Sequence, residues 1–523
     1  MLNIEKEEIS KVAFLWFMGF FWGFGDAIRL VAINTMLVKR LGIEYLPFMY
    51  ICIGAFSGIG SLLYLKFADF VRRDVLFLLF SAGTAITLIL ARIFIPEDIL
   101  GIESTGKLIF FLGIIFIIHG VGYFTLNTQL WTIINDVIRP VQGKRIYPII
   151  NLAVPVGGIV SGIFGSLLIS ITGVANLILL WGGCSLFLFF LILFFRKRYG
   201  VELRGKERKK SLQPEQNIGE EERNAIRYLI KTPFMYVLII VAVAFWIVGS
   251  MADFQYTKIM NASFVTEKSL GLYFSCYTLI YSISAILIQL FFAGSFVKRI
   301  GVERGLSVLP AVSILGGAGI LVSFSFIFGF LLRYMWDVVG MSIQANAFQL
   351  TQNAIPGRLR GRIRGIIDGI INPGGSIIGG LLILFLNRYI NHVESNAELI
   401  TILLILFAVF WIVSAIIGHK LYISALISNL KSDDKETAFD AIESLGEPFC
   451  RKSLNTLIEL VKSENVDFRK RALLSLPLTY NPCVHEVIRK YINDDNEIIR
   501  DAAISAEKLF SKNYRVKQQK FNL

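Results

Sequence analysis

"NAIPGRLRGRIRGIIDGIINPGG", residues 353–375, sets four arginines, one aspartate and a Pro-Gly-Gly sequence inside a hydrophobic region. The stretch "NDVIRPVQGKRIYPIINLAVPVGG", residues 135–158, has related features 218 positions earlier (353 − 135 = 218). The pairs that are identical or chemically alike at this offset are Asn135 and Asn353, Gly143 and Gly361, Lys144 and Arg362, Pro155 and Pro373, Gly157 and Gly375, and Gly162 and Gly380. We interpret the two stretches as corresponding parts of two internal repeats.

The hydrophobicity of the chain indicates a membrane protein. Its 523 residues are 55% hydrophobic, with a mean hydropathy of +0.63. About 20 apolar residues in a helix cross the roughly 30 Å hydrocarbon core, so the uncharged run 146–195 is long enough for two crossings. The pattern predicts twelve spans, numbered 1 to 12 in chain order, over about 12–36, 45–66, 75–95, 108–134, 147–170, 173–195, 233–257, 268–294, 305–323, 326–354, 365–387 and 398–419.

These spans fall into two similar groups of six. "FWGFGDA" at 21–27 resembles "FWIVGSM" at 245–251, which adds a second match at an offset of 224 (245 − 21 = 224). Parallel six-helix repeats are the plan of major-facilitator-type transporters. We therefore predict an all-α fold with four parts: an N-terminal bundle at 1–195, a basic cytoplasmic linker at 196–232, a C-terminal bundle at 233–420 and a soluble tail at 421–523.

The tail has its own repeat. "DKETAFDAIESL" at 434, "NVDFRKRALLSL" at 465 and "NEIIRDAAISAE" at 496 recur every 31 residues, with an alanine in register in each copy. A fixed period of amphipathic helices predicts an α-solenoid, most similar to HEAT repeats, whose concave surface suits a protein partner. The tail has 16 Lys/Arg against 15 Asp/Glu, so we expect no nucleic-acid partner.

Lysine and arginine are unevenly distributed between the loops. If the N-terminus is cytoplasmic, the inner loops and flanks contain 27 of them and the outer side 7. Because positive residues are retained on the cytoplasmic side, we predict that both termini are cytoplasmic. The predicted location is the cell membrane, as in a bacterial inner membrane.

Ionisable residues inside the spans are candidates for a solute site, because each costs at least about 2.5–3.5 kcal/mol to insert. They lie on spans 1, 4, 7 and 10, which line the cavity in the facilitator plan: Asp26, Arg29, His119, Asp253, Lys258, Arg333 and Asp337. Local pairing of Asp26 with Arg29 and of Arg333 with Asp337 is an alternative of equal weight. For His119 taken by itself, a hydrogen-bonded packing role is favoured over a role as a proton carrier.

A second set of charges is predicted at the cytoplasmic ends of the spans. The candidates for a gate are Asp69, Lys144, Arg145, Arg364 and Asp368. Asp368 lies one helical turn after Arg364, so we expect the two to pair. The alternative is a positive-inside loop with a purely structural salt bridge.

Around "LWTIINDVIRPVQGKRIYPII" the sequence resembles the ATP/ADP carriers of plastids and obligate intracellular bacteria, through Trp131, Asn135, Lys144, Arg145 and Tyr147. In the second half, "RGIIDGIINPGGS" resembles that family's Lys-Ala-Ala-Val-Asp stretch, with Arg364 in place of the lysine. The resemblance implies alternating access and raises nucleotide exchange as a function. The sequence departs from the family at His119, where an acidic residue is expected.

Together these features predict a secondary transporter for a small polar, negatively charged solute. Arg29, Arg333 and Lys258 would attract the anion, while the aspartates would hold those cations in the empty site or carry protons. The alternative is a degenerate transporter that anchors the HEAT-like module in the membrane. The chain contains no HExxH, GxSxG or P-loop motif, and its five cysteines form no CxxC pair. We therefore expect no enzyme activity, cofactor or metal.

The predicted orientation can be tested by labelling single cysteines placed at 200–220 in intact cells. A membrane-impermeant maleimide should not react with them, because that loop carries much of the positive charge assigned to the cytoplasm. Labelling from outside would contradict the topology.

Overall fold

The computed structural model describes residues 8–68, 71–95, 113, 115, 118, 121–122, 125–134, 137–138, 146–147, 149–210, 216–293, 302–389, 393–432, 434–446, 451–479 and 481–521. Within these residues eleven helices are long and apolar enough to cross a membrane. They are Ile9–Leu41 (span 1), Ile43–Leu63 (2), Asp74–Phe94 (3), Ile149–Thr172 (5), Val174–Tyr199 (6), Pro233–Ser263 (7), Glu267–Phe291 (8), Arg304–Val322 (9), Phe326–Thr351 (10), Gly357–Arg388 (11) and Asn396–Asn429 (12). Span 4 is described in part, and its residues 125–134 are helical.

The soluble tail is also helical. Its helices are Lys435–Leu445, Arg451–Leu460, Val466–Ser475, Val484–Arg489 and Glu497–Phe521. The end of the transmembrane bundle that carries this tail is called here the repeat-side face, and the opposite end is called the distal face. At the distal face, two sharp turns contain glycines with positive φ, Gly42 at 110° and Gly173 at 86°. A residue with a Cβ rarely adopts that conformation.

The predicted twofold repeat is visible in how matched glycines pack within each half. A Cβ at Gly157 of span 5 would collide with the Phe20 carbonyl oxygen of span 1. At the matched position in span 11, a Cβ on Gly375 would lie 2.9 Å from Trp246 Cβ of span 7. Spans 5 and 11 therefore each approach the first span of their own half at the matched glycine position.

A second matched pair joins the two halves. A Cβ at Gly162 of span 5 would lie 2.8 Å from Leu279 Cβ of span 8, and one at Gly380 of span 11 would lie 2.7 Å from the Pro47 carbonyl oxygen of span 2. Spans 2 and 8 occupy equivalent positions in the two repeats. The interface between the halves therefore contains the same type of glycine contact twice. Small residues permit this close approach of helices within a membrane.

Span 11 is irregular where the sequence predicts a loosened helix. A π-helical turn, Ile367–Ile371, directly precedes Asn372 and Pro373. Proline lacks an N–H group and its ring crowds the carbonyl four residues earlier, so the regular hydrogen-bond ladder cannot continue there. The same span begins on the repeat-side face with the helix Gly357–Ile366, called here the arginine helix.

The tail packs against the C-terminal half. Span 12 belongs to one helix, Val393–Asn429, so the predicted domain boundary at 420–421 lies inside a helix. Asn429 Nδ2 donates to the Ala354 carbonyl oxygen at 2.8 Å, and Arg360 Nη2 of the arginine helix donates to Asp440 Oδ2 at 3.1 Å. Buried apolar side chains form a continuous core from Phe234 through the repeat helices.

Asp434 lies beside the same contact. Its carboxylate accepts from Thr437 Oγ1 at 2.8 Å, and Arg358 Nε lies 3.9 Å away. The Thr437 hydroxyl, with a smaller effect from Arg358, lowers the pKa of Asp434 below its ordinary value. The aspartate is therefore ionised and available to the arginine helix at neutral pH.

The glycine contact between the halves can be tested with Gly380→Ala and a control in the same helix, Gly374→Ala. We expect Gly380→Ala to lower the melting temperature of the purified protein by several degrees, because overpacking costs about 1–3 kcal/mol. Gly374→Ala should be neutral or stabilising, since nothing lies within 4 Å of the added Cβ and alanine favours helix. Equal melting temperatures for the two variants would argue against a tight interface.

Candidate solute site

A buried ionic cluster joins spans 7 and 10. Arg333 Nη1 lies 2.7 Å from Asp253 Oδ1, and Arg333 Nε lies 2.9 Å from Asp337 Oδ2. Arg333 and Asp337 are four residues apart on one helix face, which allows them to meet. Asp253 comes from the neighbouring helix. The guanidinium is thus fixed between two carboxylates.

Two tyrosine hydroxyls complete the cluster. Tyr50 of span 2 donates to Asp253 Oδ2 at 2.5 Å, and Tyr277 of span 8 donates to Asp337 Oδ2 at 2.5 Å. Each carboxylate therefore accepts bonds from both the arginine and a tyrosine. Because Tyr50 belongs to the N-terminal half, its bond to Asp253 also links the two halves.

A second pair lies in the N-terminal half. Arg29 Nε donates to Asp26 Oδ1 at 2.9 Å, and the Arg29 side chain is almost fully buried. The pair contributes to the wall of a small cavity between spans 1, 3, 4 and 6, whose other lining residues include Trp22, Thr84, Trp181 and Ser185. Tyr281 of span 8 lies near the other ionic group, since its ring is 5.4 Å from that of Tyr277.

A cluster of aromatic rings adjoins Arg333 through Tyr256, whose ring lies 5.5 Å from that of Tyr277. The Tyr277 ring lies 5.4 Å from Tyr281 and 5.9 Å from Phe330, and Arg333 Cζ lies 5.9 Å from the centre of the Tyr256 ring. Sequence reasoning missed these tyrosines. The signal was the spacing of Tyr273, Tyr277 and Tyr281, which places hydroxyls on one face of span 8 at every fourth residue.

The charges of the two groups do not balance. With the carboxylates ionised, Asp26, Asp253 and Asp337 contribute −3 and Arg29 and Arg333 contribute +2, so the five groups sum to −1. A net charge at such a site is costly unless it is compensated. The arrangement can therefore accept a proton on one of its carboxylates, and an anionic solute that replaced a carboxylate at an arginine would need a proton to enter with it.

At the distal face, polar contacts tie the halves together. Arg40 at the end of span 1 makes a two-pronged contact with Glu267 at the start of span 8, with distances of 2.8 and 2.9 Å. Lys39 Nζ donates to the Asn261 carbonyl oxygen at 3.1 Å. Both partners of the Arg40–Glu267 pair are largely buried. These contacts hold spans 1, 7 and 8 together at the distal face.

A family model matches the membrane-spanning part of the chain. The model of the Major Facilitator Superfamily matches residues 15–380. The chain belongs to the major facilitator superfamily. A separate model, of HEAT repeats, matches residues 423–507 of this facilitator. The prediction of a facilitator fold with a HEAT tail is confirmed.

Solved structures agree on the fold. The nucleoside transporter NupG is 15% identical, with a TM-score of 0.56 over 79% of this chain and 98% of that one. A peptide transporter POT in complex with sulfate is 14% identical, with a TM-score of 0.55 over 78% and 95%. A D-xylose-proton symporter is 13% identical, with a TM-score of 0.55 over 79% and 97%. A search of curated proteins found no match.

The structure brings together most of the predicted intramembrane charges of this facilitator. Asp26 pairs with Arg29, and Asp253 and Asp337 share Arg333. Lys258 is separate from them, since its Nζ lies 5.9 Å from the centre of the Phe324 ring, in the distal turn between spans 9 and 10. His119 lies outside the described residues.

The predicted gate is only partly described. Arg364 Nε lies 3.5 Å from Asp368 Oδ2, so the expected pair is present, although both side chains are substantially exposed. Asn372 Nδ2 also donates to Asp368, at 3.2 Å. The other three gate candidates, Asp69, Lys144 and Arg145, lie outside the described residues.

Proposed function

We propose that this facilitator is a secondary transporter that moves a small, negatively charged solute by alternating access. The observation that supports this most is Arg333, which is held between two carboxylates and beside tyrosine rings, where the spans of the two halves meet. In the empty site the two aspartates would hold the arginine in place. An anionic solute could then replace one of these aspartates as the partner of the arginine. Arg29, held by Asp26, is the second anchor.

In this mechanism the aspartates act as exchangeable partners. A carboxylate or phosphate group on the solute would accept two parallel hydrogen bonds from the Arg333 guanidinium, which is the geometry that arginine favours. One aspartate would then lose its cation. Taking up a proton would remove its charge, so solute binding and protonation would be coupled.

Nucleotides and other phosphorylated or carboxylated metabolites are the solutes that we propose first. The ring of Tyr256 beside Arg333, and those of Tyr277 and Phe330 next to it, would offer faces for a planar group close to a site for an anion. The resemblance to ATP/ADP carriers around Trp131 supports the same choice. A nucleoside transporter is among the proteins of similar fold.

The second candidate function is a degenerate transporter that anchors the HEAT repeats. One observation favours it: the repeats share a continuous apolar core with the C-terminal half, as expected for a domain that stays attached to its membrane anchor. Arg333 is also already bridged by two acids. This candidate predicts no solute flux.

Flux through proteoliposomes separates the two candidates and tests the arginines. Solutes are first selected with the purified protein, because a ligand at 100 times its Kd stabilises the folded state by about 2.7 kcal/mol. Uptake of the selected solute should saturate in the wild type. Arg333→Lys and Arg29→Lys should lose at least about tenfold in affinity, the equivalent of 1.4 kcal/mol, because lysine keeps the charge but lacks the fork.

Lys258→Gln serves as the matched control, since this cation lies on span 7 but outside the ionic cluster. It should change affinity less than the arginine variants. Wild-type affinity in both arginine variants would refute the proposed site, and absence of flux for every stabilising ligand would favour the anchor.

For the repeat-side face we propose a gate formed by Arg364 and Asp368, together with Asp69, Lys144 and Arg145, and we assign that face to the cytoplasm of a cell membrane. The Arg40–Glu267 contact would be its counterpart at the distal face. A gate of this kind opens and closes by shifting between two states that differ by a few kcal/mol.

The gate can be tested by exchanging its two charges. Arg364→Ala or Asp368→Ala should slow transport more than it weakens solute binding, because each removes a contact from only one state. The double variant Arg364→Asp with Asp368→Arg should recover part of the rate. Wild-type rates in both single variants would show that the pair is only a surface salt bridge, consistent with the exposure of its side chains.

A further inference from the structure

The helix that precedes span 7 has a surface that the transport mechanism does not use. This helix, Gln216–Lys231, is called here the linker helix. Ala225 and Leu229 are buried, and the Tyr228 hydroxyl donates to the Ala354 carbonyl oxygen at 3.2 Å. One face of the linker helix is therefore fixed against the C-terminal half.

A second face is apolar but exposed. Ile226 is 49% exposed and Ile230 is 62% exposed, and the two lie one turn apart. Since successive residues rotate by about 100°, this pair follows directly on the buried stripe. Exposed isoleucines at this spacing form a short apolar strip rather than isolated surface residues.

A third face is basic. Arg223, Arg227 and Lys231 are exposed and recur at every fourth residue. On the helical wheel they adjoin the isoleucine strip on the side away from the protein core. The order around the helix is thus protein core, apolar strip, basic stripe, as in helices that lie at a membrane surface.

The linker helix ends next to an exposed residue of span 7. Tyr236, in the first turn of span 7, is 49% exposed, and its hydroxyl donates to the Ile230 carbonyl oxygen. Thr232 between the helices has extended backbone angles and Pro233 starts span 7, so the chain turns there. The end of the linker helix that carries Ile230 therefore lies beside an exposed tyrosine at the end of a span, the usual depth of the lipid headgroups.

We propose that the linker helix lies in the headgroup region of the bilayer and binds anionic phospholipid. Ile226 and Ile230 enter the acyl boundary, and Arg223, Arg227 and Lys231 contact lipid phosphates. The continuity with span 7 argues for a lipid surface rather than a soluble partner. The basic stripe matches an anionic leaflet, whose negative surface potential attracts such cations.

The experiment uses the full-length protein in nanodiscs. The native cysteines Cys52, Cys184, Cys276, Cys450 and Cys483 are replaced, and one spin label is placed at 230 or, as a control, at the exposed Asn224, which lies outside the isoleucine strip. Collision with oxygen, which partitions into lipid, is compared with collision with a water-soluble nickel complex. The label at 230 should favour oxygen severalfold over the label at 224.

Lipid charge is then varied. Adding phosphatidylglycerol to phosphatidylcholine should move the label at 230 deeper into the bilayer. The triple variant Arg223→Gln, Arg227→Gln and Lys231→Gln should abolish that change in depth. Equal nickel accessibility at 230 and 224 would overturn the proposal. So would spin–spin broadening at 230 that rises with protein density, because a second copy would then cover the strip. A label at 230 that is insensitive to lipid charge would refute the phosphate contacts.

Discussion

The charge of Arg333 inside a membrane helix is compensated by two carboxylates that contact its guanidinium. Those carboxylates are held in turn by Tyr50 and Tyr277, which come from different halves of the molecule. One cation thus determines how spans 2, 7, 8 and 10 face one another. Removing one member of a buried ion pair is far more damaging than replacing the whole pair, so each of these residues constrains the others.

Dense packing at the glycines limits how the halves can move. Spans 5 and 8, and spans 2 and 11, approach so closely that a single added carbon at Gly162 or Gly380 would meet its neighbour. Such interfaces are stiff because protein interiors are close-packed. If the halves move as proposed, the motion would therefore be a rotation about these contacts.

Much of this was accessible from the sequence, because hydrophobicity and the position of charges are local properties. The spans followed from runs of apolar residues, and the pairs Asp26–Arg29 and Arg333–Asp337 from helical spacing. The bridge from Arg333 to Asp253 and the distal contact of Arg40 with Glu267 join residues 80 and 227 positions apart (333 − 253 = 80; 267 − 40 = 227). Such pairing depends on tertiary packing, which spacing along one helix does not reveal. The separation of Lys258 from the cluster has the same origin.

The 37-residue helix that contains span 12 does not end at the membrane but continues into the tail. At 1.5 Å per residue it is about 55 Å long, and it is fastened to the arginine helix near its end through the repeats. Under the proposed alternating access, such a helix would act as a lever arm. A tilt of the C-terminal half would be transmitted to the HEAT repeats as a lateral displacement, and a partner bound to the repeats would in turn resist that tilt. The C-terminal half and the tail share one core and would move together.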